Sequence, residues 1–472
     1  MIARRLRLTV AVSLCGLMGV LAFASAPATA KTIHVFAGTL TGSGANTFSE
    51  PSGIAVNNST GDVYVVDRGN KRVEEFNPNG TAVLAEFNGS TSPTGAFSFT
   101  EEAEELAGIA IDNSTNPLDP SAGDVYVADN GNKVVDKFSP SGTYLGQITE
   151  GAGGVPFEEL RGVAVDTEGK LWVYQNTKEI DDYSDALANQ FVASRESPAR
   201  GAVTSGLAID STGDLYVRHR YRDIIAKLNG AGEELEGIEE FGNIEGIRGI
   251  AVDPTNNEVY LAQSESVSVF EANGSPHETF GSGHLTGSGG IAVNYSTETA
   301  SSGYAYVADS IGNDVAIFHF GVVPDLTVEP ASGFTTTSVV LTGTLNPDNT
   351  TVTGCEFEYG TEPGVYPHKA ACAPAPPLTG TQPIAVSATA TGLKEGTTYY
   401  YRLSATNTTG TDSTEEQSFF LPNTVKVDGE SSRYIESKGA TLEAKITPAV
   451  EKPSTTSNTE LPRACMARAR RP

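Results

Sequence analysis

Basic residues are few in this chain of 472 residues. Lysine and arginine together number 31 against 58 aspartate and glutamate residues, so the formal net charge is −27. A strongly acidic protein repels phosphate backbones and anionic lipid surfaces, which argues against nucleic acid and membrane surfaces as partners. The same charge favours a soluble monomer.

Long hydrophobic runs are missing after the first thirty residues, so we expect no later segment to cross a bilayer. The one long apolar run, Leu8 to Ala26, follows Arg4, Arg5 and Arg7 and precedes Ala28-Thr29-Ala30. A basic, then an apolar, then a small-residue segment is typical of a secretory signal peptide, here residues 1–30, with cleavage after Ala30. An uncleaved membrane anchor is the alternative, because the run is nearly long enough to span. We expect a secreted or cell-surface protein.

Cysteine is also scarce. Of the four cysteines, Cys15 lies in the expected signal peptide and Cys465 stands alone near the C-terminus. Cys355 and Cys372 lie close together, and an exported protein meets an oxidising compartment, so we predict a disulfide between them.

Glycine (50 residues) and proline (25 residues) are plentiful, which favours an all-β chain with many turns. A phrase of one glycine, three apolar residues and one aspartate or asparagine recurs six times, at intervals of 41 to 55 residues. The copies are Gly53 to Asn57, Gly108 to Asp112, Gly162 to Asp166, Gly206 to Asp210, Gly249 to Asp253 and Gly290 to Asn294. The apolar run indicates a strand buried on both faces, and the glycine suits a crowded axis.

A second phrase, rich in β-branched and aromatic residues, follows each copy of the first after a turn. Its copies are Asp62 to Asp67, Asp124 to Asp129, Lys170 to Gln175, Asp214 to His219, Glu258 to Gln263 and Tyr304 to Asp309. Third strands such as Arg72 to Phe76 and weaker fourth strands such as Ala82 to Phe87 come next. Four short strands in each period predict one blade of a β-propeller, and six periods predict six blades.

The ends of this repeat region predict how the ring closes. The sixth period has a third strand at Asp314 to Phe320 but reaches Pro324 without a fourth. The segment Thr32 to Ala37 is strand-like and belongs to no period. We predict that it completes the sixth sheet, since closure removes an exposed sheet edge.

The turns after the second phrase carry a family resemblance. They read Asp67-Arg-Gly-Asn-Lys-Arg-Val73 and Asp129-Asn-Gly-Asn-Lys-Val-Val135 in the first two periods. Together with the two phrases, they resemble NHL repeats over residues 32–320, which implies a six-bladed propeller at 31–321. The resemblance implies little about function, because the family includes scaffolds, sensors and a few lyases.

Residues 322–422 predict a separate β-sandwich. The stretch Gly392 to Asn407 resembles the strand pair of a fibronectin type III domain that carries a tyrosine corner. Residues 423–472 begin a second such module, since Ser437 to Pro448 repeats the pattern of Thr335 to Pro347, and we expect it to be truncated and disordered. A frameshift near Lys452 and a genuine basic tail are both open explanations.

Residues that carry chemistry are sparse. The six histidines, among them His34, His277, His284, His319 and His368, fall at different repeat positions, whereas a zinc site needs three or four converging ligands. We therefore predict no metal, no cofactor and no catalytic residue. The aspartates Asp112, Asp166, Asp210 and Asp253 are interpreted as turn acceptors in preference to calcium ligands.

One turn departs from the rest. An aspartate ends the second phrase in periods one, two and six, whereas Gln175, His219 and Gln263 stand there in periods three to five. The fourth period then reads Arg218-His219-Arg220-Tyr221-Arg222. Arginine forks bind carboxylates, so we predict that these five residues, flanked by Tyr174 and Gln263, form an anion site. The alternative is a solvated loop that pairs with nearby acidic residues.

These observations favour a binding or scaffold protein, with the propeller recognising an extracellular protein, peptide or glycan and the sandwich acting as a spacer. The alternative is an extracellular propeller enzyme of the lyase or lactonase type.

Overall fold

A computed structural model describes residues 31–43, 46–100, 107–175, 179–184, 189–196, 206–219, 224–233, 235, 244, 246–423, 426–436 and 439–447. The signal segment, the turn 220–223 and the tail from 448 lie outside these residues. Within them the chain is almost entirely β-structure, and the one helical element is a 3-10 turn, Ala152–Gly154. No described helix has the length and apolarity needed to span a membrane.

The first strand, β1 (Thr32–Leu40), is followed by a small hairpin, β2 (Gly42–Ser43) and β3 (Asn46–Thr47). Three antiparallel sheets come next. Blade one contains β4 (Pro51–Val56), β5 (Val63–Asp67), β6 (Arg72–Phe76) and β7 (Val83–Phe87). Blade two contains β8 (Ile109–Ile111), β9 (Val125–Asp129), β10 (Val134–Phe138) and β11 (Tyr144–Ile148). Blade three contains β12 (Leu160–Val165), β13 (Leu171–Gln175), β14 (Glu179–Tyr183) and β15 (Phe191–Glu196).

Three further sheets complete the ring. In the described residues, blade four contains β16 (Leu207–Ile209), β17 (Leu215–His219) and β18 (Ile224–Leu228). Blade five contains β19 (Gly249–Asp253), β20 (Glu258–Ala262), β21 (Val267–Phe270) and β22 (Pro276–Phe280). Blade six contains β23 (Ser288–Val293), β24 (Ala305–Asp309) and β25 (Asp314–Val322). The predicted all-β, six-bladed architecture is therefore confirmed.

The predicted closure is also present. Strand β1 pairs antiparallel with β25, from Thr32 opposite Val322 to Leu40 opposite Val315, and supplies the fourth strand of blade six. Its His34 is buried, and its ring lies 4.4 Å from the rings of both Phe280 and Phe320. Strand β1 therefore joins blade six to blade five as well as closing the sheet edge.

The third residue of every second phrase is aromatic, and its side chain packs between two blades. These side chains are all buried: Tyr64, Tyr126, Trp172, Tyr216, Tyr260 and Tyr306. The Tyr64 and Tyr306 hydroxyls donate to carbonyl oxygens of the next blade, Pro140 and Pro78. The Trp172 indole N–H donates a hydrogen bond to Asp166 at 2.9 Å, so this ring is also held in the interior.

The second domain consists of two packed sheets. One contains β26 (Asp325–Val328), β27 (Ser338–Asn346) and β32 (Ile384–Thr391). The other contains β29 (Gly354–Gly360), β30 (His368–Ala371), β33 (Thr397–Thr406), β34 (Thr411–Ser413) and β35 (Gln417–Leu421). Two short strands, β28 (Thr351–Val352) and β31 (Leu378–Thr379), pair with each other. After the sandwich, β36 (Lys426–Glu436) and β37 (Gly439–Thr447) form a hairpin.

The sandwich carries the tyrosine corner that its sequence predicts. The Tyr399 hydroxyl accepts a hydrogen bond from the Lys394 backbone N–H at 2.9 Å. Leu341, Phe357 and Leu403 are fully buried between the two sheets.

Cys355 and Cys372 form a disulfide across 17 residues of sequence, as predicted. We expect the Cys355→Ser, Cys372→Ser double variant to lose about 3 kcal/mol of sandwich stability, since the bond restricts the unfolded chain. Urea unfolding of the purified protein measures this loss, and the reduced wild type is the matched comparison. A variant as stable as the oxidised wild type would contradict the prediction.

Candidate functional site

A channel lined by the six innermost strands runs along the propeller axis. The six phrase glycines line its upper end, where the innermost strands begin. An added Cβ at Gly53 would lie 2.1 Å from the Ala107 carbonyl oxygen, and at Gly290 it would lie 2.5 Å from that of Ser52. Neighbouring blades therefore approach so closely that larger residues do not fit there.

The upper channel holds a cavity of about 70 Å³. Its described lining is glycine and alanine together with Ile54, Ile109, Val163, Leu207, Ile250 and Ile291. No group of three or more histidine, cysteine, aspartate or glutamate residues in the described ranges is placed to hold a metal ion. This lining suits apolar contact and supplies no acid, base or metal ligand.

The lower channel, where the innermost strands end, has a larger cavity of about 160 Å³ with a polar rim. Asn58 accepts a hydrogen bond from the Tyr295 backbone N–H at 2.9 Å, and Asn113 accepts one from the Asn58 N–H at 2.8 Å. Burial and the charge of Asp253 raise the pKa of Tyr295 to about 12, so its phenol is neutral at physiological pH. The asparagines at this rim connect blades six, one and two, which is a structural role.

The phrase aspartates on the lower face also have a structural role. Each accepts a hydrogen bond from the backbone N–H two residues later, as between Asp210 and Thr212 at 2.9 Å and between Asp253 and Thr255 at 2.8 Å. Asp112 and Asp166 do the same. Burial raises the pKa of Asp112 to about 6. These contacts agree with the interpretation as turn acceptors.

The aspartates that end the second phrase hold the upper-face turns. Asp67 accepts hydrogen bonds from the Ser49 N–H at 2.8 Å and from Asn70 Nδ2 at 2.8 Å. Asp129 accepts from the Ser98 N–H at 3.0 Å, and Asp309 accepts from the Thr286 N–H. All three are buried, and each ties the loop before its own inner strand to the turn that follows its second strand.

Blades three and five use other contacts at this position. Gln175 is buried and donates to Asp181 Oδ2 at 2.5 Å. Gln263, which was predicted to flank the anion site, is half-buried and accepts a hydrogen bond from Ser268 Oγ at 2.8 Å. The His219 backbone ends β17, and its side chain lies outside the described residues.

The structure corrects the prediction for Tyr174. Its side chain is 2% exposed and packs between blades three and four, so it does not reach a ligand at the surface. The physical reason is its register: Val66, Ala128 and Ala262 hold the same position in other second strands and are buried too. Arg218 occupies this position in blade four and is half-buried. Arg220, Tyr221 and Arg222 lie outside the described residues.

Blade one shows how this fold holds arginines at an upper-face turn. Arg72 contacts Asp67 and Glu74 at 2.9 Å each, and Arg68 contacts Glu50 at 2.8 Å. Burial acts to lower the pKa of Arg72, but the bond to Asp67 and the neighbouring carboxylates outweigh it and raise the pKa.

Four carboxylates pair with the blade-one arginines, since Glu86 also contacts Arg72, and three of the four are replaced in blade four. The strand registers align Asp67 with His219 and Glu74 with Ala226. Glu50 stands three residues before the phrase glycine of blade one, and Val203 stands three residues before that of blade four. The same registers align Arg72 with Ile224, so the ion pairs of Arg72 have no counterpart at this position of blade four. Asp223 is the one acidic residue in the sequence from 218 to 223.

Two more arginines lie in the upper-face segments of blades three and five, and sequence reasoning missed them. Arg161 directly precedes the inner glycine of blade three, and Arg248 precedes that of blade five. Both backbones lie at the upper mouth of the channel, and the Arg248 side chain is half-buried. Comparing the residue before each glycine would have found them, since the other four are Ser52, Ala107, Ser205 and Gly289.

Comparison with known proteins gives the following. The family model for the NHL repeat matches residues 48–76, the segment that contains β4, β5 and β6. No curated protein matches the sequence. Similar solved structures include a gluconolactonase from Xanthomonas campestris, at 12% identity and a TM-score of 0.43 over 62% of this chain and 90% of that one. A virginiamycin B lyase from Staphylococcus aureus aligns at 14% identity and a TM-score of 0.39 over 66% and 95% of the two chains. The chain thus contains an NHL repeat at residues 48–76 and is structurally similar to β-propeller proteins.

Proposed function

We propose that this chain is an exported binding protein whose propeller recognises a ligand rich in carboxylates, an acidic glycan or an acidic peptide. The ligand contacts the upper-face arginines of blades three to five, which are Arg161, Arg220, Arg222 and Arg248. One observation carries the proposal: arginines directly precede the phrase glycines of blades three and five, on either side of the blade-four sequence that contains Arg220 and Arg222. Arginine clusters favour bidentate contacts with carboxylates.

The sandwich, in this proposal, is a fibronectin type III-like spacer over residues 322–422. Its tyrosine corner and two-sheet core support that assignment. The small-residue segment before Lys31 supports export.

The test is a binding screen on arrays of acidic glycans and acidic peptides, followed by titration of the best binder. We expect the Arg220→Ala, Arg222→Ala variant to bind about 10-fold to 100-fold more weakly, because each charge-assisted hydrogen bond contributes about 1.5 kcal/mol or more. Affinity should also fall as salt is raised.

The matched control is the Lys71→Ala, Lys133→Ala variant. Both lysines are exposed in the corresponding turns of blades one and two, so the variant removes two positive charges from the same face. Equal affinity of the arginine variant and the wild type would refute the site.

An enzyme of the lyase or lactonase type is the competing proposal. Metal analysis of the exported protein distinguishes the two, because such an enzyme would bring a stoichiometric metal ion near the axis. The glycine and aliphatic lining of the described upper channel supports the binding proposal instead.

A further inference from the structure

The junction between propeller and sandwich is built around Lys31. The Lys31 backbone nitrogen lies 3.0 Å from Asp325 Oδ1, and its side-chain Nζ lies 2.6 Å from Asp412 Oδ1. The Lys31 carbonyl oxygen accepts a hydrogen bond from the Val323 N–H at 3.1 Å. The residue that precedes β1, the closing strand of the propeller, is therefore held by residues of the second domain.

Negative charge is in excess at this place. Asp325 lies beside Asp348, and burial together with the Asp325 charge raises the pKa of Asp348. Asp412 is nearly buried and pairs with the Lys31 side chain. The Lys31 ammonium thus pairs with Asp412, while Asp325, next to the Lys31 backbone nitrogen, lies beside a second carboxylate, Asp348. Uncompensated carboxylates beside each other are unfavourable, so a second positive charge would stabilise the junction.

The sequence supplies a way to create that charge. Ala28-Thr29-Ala30 is the expected recognition segment of a signal peptidase, and the next residue is Lys31. Hydrolysis of the Ala30–Lys31 peptide bond consumes one water, leaves a carboxylate on Ala30 and converts the Lys31 backbone amide into an α-ammonium. The new group has three N–H donors and one positive charge.

We propose that the α-ammonium of Lys31, formed by signal-peptide cleavage, pairs with Asp325 and fastens the sandwich to the propeller. The inference rests on the export part of the proposed function. Cleavage then completes the junction at the position where the propeller closes, because β1 is the closing strand.

Other contacts at the junction show why a charge placed here affects both domains. Asn407 Nδ2 donates to the Val322 carbonyl oxygen at 2.8 Å, at the end of β25. Thr409 packs against Gly321, where an added Cβ would lie 2.3 Å from Thr409 Cγ2. One edge of the sandwich thus covers the strand pair β1 and β25, so holding Lys31 in place also holds that pair.

The first measurement is N-terminal sequencing of the exported protein, which we expect to begin at Lys31. The second compares two forms of the chain 31–472, one with a free α-amino group and one acetylated there. At pH 6.5 we expect the free form to have a melting temperature about 2–4 °C higher.

The pH dependence identifies the group responsible. A free α-amino group has a pKa of about 7.7–8.0, and a carboxylate partner raises that pKa in the folded state. The stabilisation is therefore complete below about pH 7.7 and is lost as the pH rises through the folded-state pKa. We expect the difference between the two forms to disappear by about pH 10.

Two substitutions complete the test. Asp325→Asn should abolish the difference between the free and acetylated forms. Asp412→Asn, the matched control, should lower both melting temperatures equally, since its partner is the side-chain ammonium. An exported chain that begins elsewhere, or free and acetylated forms that melt together at pH 6.5, would overturn the inference. Failure of the array experiment alone would refute the ligand and leave this melting difference intact.

Discussion

A chain that begins at Thr41, and therefore lacks β1, is expected to lose the cooperative unfolding transition of the propeller. Removing β1 exposes the whole edge of β25, a nine-residue strand, and leaves blade six with three strands. Leu40 and His34 leave the core as well. An open sheet edge of this length favours pairing between molecules, so we also expect aggregation. Calorimetry and size-exclusion chromatography measure both effects.

The control truncation ends at residue 425 and removes the tail instead. We expect its melting temperature to stay within about 2 °C of the parent, because the described tail strands β36 and β37 pair with each other and belong to none of the propeller sheets. A chain without β1 that melted as sharply and at the same temperature would contradict the closure.

Single substitutions within β1 give a finer measurement if the truncated chain does not fold. The buried His34 contacts Glu278 Oε2 at 2.8 Å through Nδ1, stacks on Phe280 and packs against the tilted ring of Phe320. We expect His34→Ala to cost about 3 kcal/mol, since it removes buried packing and leaves Glu278 without this partner. Phe36→Ala on the same strand should cost less, because Phe36 is 38% exposed.

Replacing Arg72 with methionine is expected to destabilise blade one by about 3–5 kcal/mol at pH 7. The arginine is nearly buried, and its partners Asp67 and Glu74 are fully buried. Methionine fills a similar volume but leaves two carboxylates in the protein interior without their cation, which is the costly way to break a buried ion pair. Urea unfolding at several pH values measures the loss.

The cost of burying ionised carboxylates sets the sign of the pH dependence. In the Arg72→Met variant the ionised carboxylates are unfavourable, so the folded state gains by binding protons. The difference from the wild type should therefore shrink as the pH falls from 7 toward 5. The control is Arg402→Met in the sandwich, where the arginine is 35% exposed and pairs with Glu358, and we expect a loss of at most about 1 kcal/mol. Equal losses for the two variants would show that burial does not set the cost.

Repeat spacing and strand composition predicted most of the propeller. The strand Arg72–Phe76 has the bounds expected from its sequence. The candidate site was predicted less well. Tyr174 and Arg218 look like surface neighbours in the sequence, yet both occupy a position whose side chain points between blades. Arg161 and Arg248 were overlooked because each is a single residue outside the recurring phrases.

Three features could be predicted without coordinates: the number of sheets, the closing strand and the aspartates at the turns. Each of these depends on local requirements, such as apolar runs for buried strands and carboxylate acceptors for tight turns, and these requirements repeat with the chain. Only the tertiary structure decided which distant groups meet. His34 contacts Glu278 across 244 residues, and Lys31 contacts Asp412 across 381. Such pairs leave no periodic signal, because they are set by the closure of the ring and by the way the sandwich packs on β1 and β25.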